Sequence, residues 1–314
     1  ENLMSGRLQP ARISVHGAKI AIRRQPDGGL DIAPAAKNFS GAALSPAQIL
    51  DAIDRTFAAP TLSGLTSISV DGLSVLFFYL RAGQVWTIID GTLDLKQTKD
   101  RIRIDFGFGV TGQAAAVLSA TGPANSTGKP VPASVALSLT TDKHSSGATL
   151  GATLAGISAK DLSLQIPALA WLGAIDAPIA GQFDSGLDPE GRLGVMTARL
   201  SLGSGALRPT KDTPPVPFDS ATLGLSYDPD KLAIDLTDLR IKSPQLSANA
   251  AGKAWLKDVK NGVPSKLVAQ VQLKDLRADP RGIFARPLSI GQGAMDFKLD
   301  LVPFKITIGQ LTIV

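Results

Sequence analysis

Apolar residues recur at every second position along most of this chain, and no other feature limits its fold so strongly. Leu223, Leu225 and Tyr227, then Leu232, Ile234 and Leu236, then Leu267, Ala269, Val271 and Leu273 hold one parity, while polar side chains dominate the other. A period of two is that of a β-strand with one dry face and one wet face. The pattern continues through Phe304-Lys305-Ile306-Thr307-Ile308-Gly309-Gln310-Leu311-Thr312-Ile313-Val314. Strand edges of that kind are ordinarily protected, so the chain is expected to be a segment of a longer protein. A closed sandwich needs fewer strands and usually more large aromatics. The expected fold is therefore mainly β: an elongated, twisted antiparallel sheet forming a β-taco-like groove, with a few short helices.

Composition narrows what could cover the dry face. The 314 residues are 44% apolar, enough to bury a sizeable core, yet only 5% are aromatic. A smooth aliphatic face suits acyl chains better than rings. The absence of cysteine removes disulfides, thiolate metal sites and cysteine nucleophiles together. No run approaches the ~20 apolar residues of a spanning helix, and no signal peptide is visible. Any targeting or anchoring segment is expected outside this chain.

The net charge of +5 is scattered mostly over the wet parity, as on a solvated face. Before Pro26, Arg7, Arg12, Lys19, Arg23 and Arg24 face only Glu1, so this end could lie near anionic headgroups as well as in solvent. No basic stripe is interleaved with aromatics, and nucleic acid is not expected as a partner.

Read in order, the chain predicts a first hairpin pairing Ile13 to Arg24 with Leu30 to Ala33 across Gln25-Pro26-Asp27-Gly28-Gly29. Ser45-Pro46-Ala47-Gln48 is an N-cap with proline at the first helical position, opening a helix to about Phe57 with Ile49, Leu50, Ile53 and Phe57 on one face. Strands resume near Ser67 and run past Phe108, with Val75, Phe77 and Tyr79 facing one way and Trp86 nearby. A loop is expected from Gly122 to Pro132. In the second half, Lys160-Asp161-Leu162, Pro167 to Trp171 and Pro178 to Gly181 are echoed by Lys274-Asp275-Leu276, Pro280 to Phe284 and Pro287 to Gly291. Trp171 and Phe284 are expected to pack their short helices onto the sheet. The organisation expected over 1–314 is one elongated segment: an N-terminal hairpin and helix (1–60), a strand-rich part (61–158) and two related helix-plus-strand units (159–314), in the manner of a repeat protein.

Several motifs point elsewhere and are better read as structure. Gly107-Phe108-Gly109-Val110-Thr111-Gly112 fits G-x-G-x-x-G after a strand, but no Asp or Glu lies between Gln113 and Thr141, where a dinucleotide site needs one. A strand bend or bulge is expected there. Asp188-Pro189-Glu190-Gly191 and Asp228-Pro229-Asp230 each sit between strand patterns and read as turns more readily than as calcium ligands. The two histidines, His16 and His144, lie in unrelated segments and make no metal or catalytic pair. With no G-x-S-x-G and no H-E-x-x-H, the chain is expected not to be an enzyme, and no cofactor or metal is expected.

Gly6-Arg7-Leu8 and Ile13-Ser14-Val15-His16-Gly17-Ala18-Lys19-Ile20, followed by Arg23-Arg24-Gln25-Pro26-Asp27-Gly28-Gly29-Leu30-Asp31-Ile32, resemble the early region of AsmA-like proteins of the YhdP type. Ala168-Leu169-Ala170-Trp171-Leu172, Asp176-Ala177-Pro178-Ile179-Ala180-Gly181, Phe218-Asp219-Ser220 and Tyr227-Asp228-Pro229 extend the resemblance over most of the chain. It implies a large periplasmic envelope protein, anchored in the inner membrane, whose twisted β-groove carries phospholipid toward the outer membrane and which has no catalytic residues.

The residues agree with that implication on their own terms. Neighbouring strands add about 4.8 Å each, so roughly fifteen to twenty strands would extend on the order of 70 to 100 Å. The groove-facing candidates are Leu200, Leu202, Leu223, Leu225, Leu232, Ile234, Leu236, Val271, Leu273, Phe297 and Leu299. Phospholipid is the expected partner, with both membranes reached through regions outside this chain. The alternative is a structural or interaction scaffold whose dry face is filled by its own side chains; an envelope hydrolase ranks last.

Overall fold

The computed structural model describes residues 11–25, 29–34, 44–59, 62, 64–79, 84–109, 133–143, 147–165, 167–208, 214–260, 263–279, 287–301 and 303–313. The protein is mainly β with a few short helices. The first part of the chain holds β1 (Arg12–His16), β2 (Lys19–Arg24), β3 (Leu30–Pro34) and helix α1 (Pro46–Ala58). Then follow β4 (Ser67–Tyr79), β5 (Gln84–Gln97), β6 (Arg101–Gly109), β7 (Ser134–Asp142) and β8 (Ala148–Ser158). Helix α2 (Ala159–Gln165) and a 3-10 segment (Pro167–Ala174) come next, before β9 (Ile175–Asp176) and β10 (Pro178–Leu187). The remainder is β11 (Met196–Leu202), β12 (Gly205–Leu207), β13 (Val216–Phe218), β14 (Ser220–Asp228) and β15 (Ala233–Lys242), then β16 (Leu246–Lys257), β17 (Lys266–Ala278), β18 (Leu288–Leu301) and β19 (Phe304–Ile313).

Sixteen strands form one long sheet in the order β19-β18-β17-β16-β15-β14-β11-β10-β8-β7-β6-β5-β4-β2-β3, with β1 also on β4. The order has two ends, so the sheet is not closed into a barrel. The other three, β13, β12 and β9, make a small separate sheet. By its contacts the chain divides into two compact units. One gathers the residues up to Val110 with Ser134–Ala152 and Asp184–Gly194; the other includes Thr153–Phe183 and Val195–Val314.

The sheet is mixed, which corrects the antiparallel expectation. Gly17, at φ +72°, breaks the run from Ile13 to Arg24 into two strands, and both β1 and β2 lie parallel to β4. Only glycine takes that backbone without strain. Parallel pairing needs a long crossover, and the stretch from β3 to β4 with α1 in it supplies one. Only β2 pairs with β3, through Arg24 opposite Leu30. Helix α1 starts as expected: the Ser45 hydroxyl accepts from the Gln48 amide at 3.2 Å, and the Gln48 side chain accepts from the Ser45 amide at 2.8 Å. Its inner face sets Phe57 and Ile53 against Ile13, Leu65, Leu93, Leu95, Ile102 and Ile104.

Two further expectations change. Gly107 sits in regular β6, opposite Thr92 and Ala136, with no bulge. A Cβ there would meet the Thr92 hydroxyl at 3.2 Å, so a small residue suits the site. The echo in the second half is not kept at its first phrase: Lys160-Asp161-Leu162 is helical in α2, whereas Lys274-Asp275-Leu276 lies in β17 with Asp275 at φ +51°. The short sequence is the same in kind, but β17 is held on both sides by β16 and β18, and that pairing decides its conformation. The expected loop at Gly122 to Pro132, Val110 to Gly112, His144 and the expected helix around Phe284 lie outside the described residues.

Candidate functional site

All eleven candidate residues belong to the second unit. Ten of them sit in strands whose registers align them across the sheet. One row runs Leu200, Leu223, Leu239, Ala250, Leu273, Gly293, Ile313 over β11 and β14 to β19. The next runs Ala198, Leu225, Leu236, Gly252, Val271, Met295, Leu311, and the third Met196, Tyr227, Ile234, Ala254, Ala269, Phe297, Ile308. A shorter row holds Leu256, Leu267, Leu299 and Ile306. Each row crosses neighbouring strands at about 4.8 Å per step, so a seven-strand row spans about 29 Å.

Leu232 does not join them. It lies in the turn before β15 at φ +51°, because the chain must reverse there. The reversal is fixed by Asp228, whose Oδ1 accepts from the amides of Asp230 and Lys231, both at 3.1 Å, while Oδ2 pairs with Lys231 Nζ at 2.6 Å. The Lys231 ammonium, followed by its backbone amide, holds the Asp228 carboxyl below the usual carboxylate range. Asp188 is used alike: its Oδ1 accepts from the Arg192 amide at 2.8 Å, and that bond first lowers its pKa. Both acidic clusters are therefore turns.

Bulges keep the rows dry. Between β15 and β16 the register shifts from Leu236 to Leu239, and between β14 and β15 it shifts at Gly224 and Leu225. Without the extra residue at Thr237 and Asp238, Leu239 and Ile241 would turn to the wet face. A second shift, between Asp296 and Phe297 on β18, lets Leu311 and Ile313 follow Ile308 on the dry side of β19. Ala250, Ala254, Met295 and Ile306 keep the parity of their own strands and join the rows, whereas strict alternation overlooks Leu239, Ile241, Leu311 and Ile313. The spacing of three from Leu236 to Leu239 and from Ile308 to Leu311 is the signal that finds them.

The centre of the face is a cluster of Ala250, Ala254, Ala269, Val271 and Leu273, with Ile234, Leu236, Leu239, Leu267, Leu276, Met295 and Phe297 packed against it. Among the described residues every member comes from β15 to β18, and no helix or second sheet contributes. Small side chains form its floor, and the larger neighbours close over Ala254 and Ala269, which are 1% and 0% exposed. Toward the edge the cover ends. Ile306, Ile308, Leu311 and Ile313 on β19 are 48%, 58%, 49% and 53% exposed.

At its other end the face is capped. Leu202 packs with Ala159, Leu162, Leu169, Trp171, Leu172, Ile175 and Ile179, so α2 and the 3-10 segment cover it with the protein's own side chains. Trp171 packs its segment onto the sheet as expected. Asp161 in this cap has its carboxyl pushed up by burial, against the pull of Lys160.

Two polar features lie outside the face. Arg23 Nη2 donates to Asp31 Oδ2 at 2.6 Å, and Asp31 is 4% exposed, so Arg23 is engaged in an ion pair and is not simply offered to headgroups. His16 lies beside Asp71 on β4, Nδ1 to Oδ2 at 3.7 Å, with both side chains exposed. Among the described residues no group of three His, Cys, Asp or Glu could hold a metal ion, and no helix is long and apolar enough to cross a membrane.

Fold and site together define a class: a long, open, mixed β-sheet protein with a continuous aliphatic face in its second unit. No family model, curated protein or solved structure matches the chain.

Proposed function

We propose that this aliphatic face binds phospholipid acyl chains and conducts them, without catalysis, between the inner and outer membranes of a bacterial envelope. On this reading the chain is part of an AsmA-like protein of the periplasm, anchored through a segment outside it, and it contributes to outer-membrane lipid homeostasis. The observation that carries the reading is the cluster around Ala254 and Ala269, drawn from one face of one sheet and continued by half-exposed Ile306, Ile308, Leu311 and Ile313. Each methylene removed from water is worth about 0.8 kcal/mol, so affinity accumulates along a row without a deep pocket. The hydrocarbon core of a bilayer is about 30 Å thick across both leaflets, and a row of about 29 Å has room for a whole acyl chain. Shallow, equivalent contacts also permit sliding, which an ion pair with the headgroup would arrest.

The alternative, an envelope scaffold with a closed core and no lipid cargo, is favoured by the cap over Leu202, where the dry face is filled by the protein itself. Native mass spectrometry with lipid extraction separates the two. Protein expressed in a Gram-negative host and purified in mild detergent is expected to carry phospholipid of mixed headgroup, and Ile234→Asp is expected to remain folded and lose it. Asp235→Ala, on the wet face where Asp235 Oδ1 meets Lys253 Nζ at 3.4 Å, should leave lipid unchanged. Folded wild-type protein that neither carries lipid nor takes it from liposomes would sink the conduit reading.

A further inference from the structure

The last four strands carry a depression of about 500 Å³ lined mainly by wet-parity residues, Trp255, Val268, Gln270, Asp296, Lys298 and Thr307, with Ala269 and Phe297 of the third row also bordering it. Its wet-parity lining faces away from the acyl-chain rows: Trp255, Val268, Lys298 and Thr307 form their own cross-strand row, one residue out of step with Ala254, Ala269, Phe297 and Ile308. A tryptophan on the wet parity of a strand, between Lys253 and Lys257, departs from the pattern of the chain. Val268 beside it is 37% exposed.

The polar groups around the indole are unclaimed. Among the described residues, Lys257, Gln270, Asp296 and Thr307 have no side-chain hydrogen bond or ion pair, whereas Lys298 Nζ is held by Asp300 Oδ1 at 3.3 Å. A carboxylate, an amide, a hydroxyl and an ammonium thus share the lining of this depression with the indole. The unclaimed charges, Lys257 and Asp296, cancel, and Asp296 would repel a phosphate. The surface fits a neutral ligand with hydroxyls at its rim and C–H groups on its face.

We infer that this depression is a binding site for a neutral saccharide, with one pyranose ring stacked on Trp255. The C–H face of a sugar ring carries slight positive charge and matches the negative face of the indole. Asp296 accepts from ring hydroxyls, Lys257 donates, and Gln270 and Thr307 do both. The inference does not rest on the acyl-chain reading, which uses the other face.

Isothermal titration of the 314-residue chain with tri-N-acetylchitotriose and with cellotriose tests it. Saturable binding of at least one is expected, weakened about tenfold or more by Trp255→Ala and clearly weakened by Gln270→Ala, which removes only an exposed amide. Preference for the first sugar assigns an N-acetylated glycan; equal binding assigns any neutral pyranose. Ile234→Asp should leave sugar binding unchanged whatever it does to lipid. No binding of either sugar by folded protein overturns the site, as does binding that survives both Trp255→Ala and Gln270→Ala. A tryptophan fluorescence response to anionic vesicles that is lost in Trp255→Ala, with no response to either sugar, overturns it in favour of a membrane surface.

Discussion

Gly252 is the residue on which the central row depends, and Gly252→Ala gives the most direct check on the sheet geometry. It sits between Leu236 on β15 and Val271 on β17. A Cβ built there collides with the Gln270 carbonyl and comes within 2.7 Å of Val271 Cα. Both obstacles are backbone, so no side-chain rotation relieves them, and β16 and β17 must separate. Overpacking of a well-filled core costs about 1 to 3 kcal/mol, and a rigid obstacle puts this case near the top. Replacing glycine restricts the unfolded chain and returns about 0.4 to 1 kcal/mol, leaving a net loss of about 2 kcal/mol. At about 2 to 4 °C per kcal/mol for a unit of this size, the melting temperature should fall by roughly 4 to 8 °C, read by circular dichroism. Gly291→Ala on β18 is the control, since nothing lies within 4 Å of a Cβ there. It should melt at or slightly above the wild-type temperature. Equal melting of Gly252→Ala and wild type would refute the close approach of β16 and β17, and with it the alignment of the rows.

Gln97→Leu should destabilise the first unit by about 1 kcal/mol. It removes the Nε2 bonds to the carbonyls of Leu62 and Leu65, partly offset by removal of the buried, unpartnered Oε1. Unchanged urea midpoints would show that this amide does not anchor the segment after α1. Asp188, Asp228 and Asp258 all have carboxyls held below the usual range, Asp258 first through its bond to the Lys266 ammonium. A folded pKa below the unfolded one gives stability that is present above the ordinary value of about 3.9 and is lost as pH falls through the lowered values. Urea midpoints should therefore drop below about pH 4, less steeply in an Asp228→Asn, Asp258→Asn double variant. An identical slope in that variant would remove these turns as the cause.

What could be read from the sequence follows from interactions between near neighbours. Alternation at Leu223 to Tyr227 and at Leu267 to Leu273 specifies a strand and its two faces, since successive side chains must point apart. Ser45 and Pro46 specify where α1 begins, through amides only three residues away. The aspartates at 188 and 228 specify turns for the same local reason.

What the tertiary structure decided depends on partners far along the chain. Leu232 continues the even parity yet falls in a turn, while Leu239 breaks it yet joins a row, because the bulge at Thr237 and Asp238 is defined only against β14 and β16. The parallel seating of β1 and β2 on β4 required Gly17 and the crossover through α1. Leu200 and Leu202 are two positions apart on one strand with the same hydrophobicity, but only Leu202 is covered by the helical cap. Trp255 stands out on its wet parity in the sequence, but only the neighbouring strands place Gln270, Asp296 and Thr307 with it along one depression. A side chain's facing is a property of its own backbone, whereas what lies over it is a property of strands brought together by the fold.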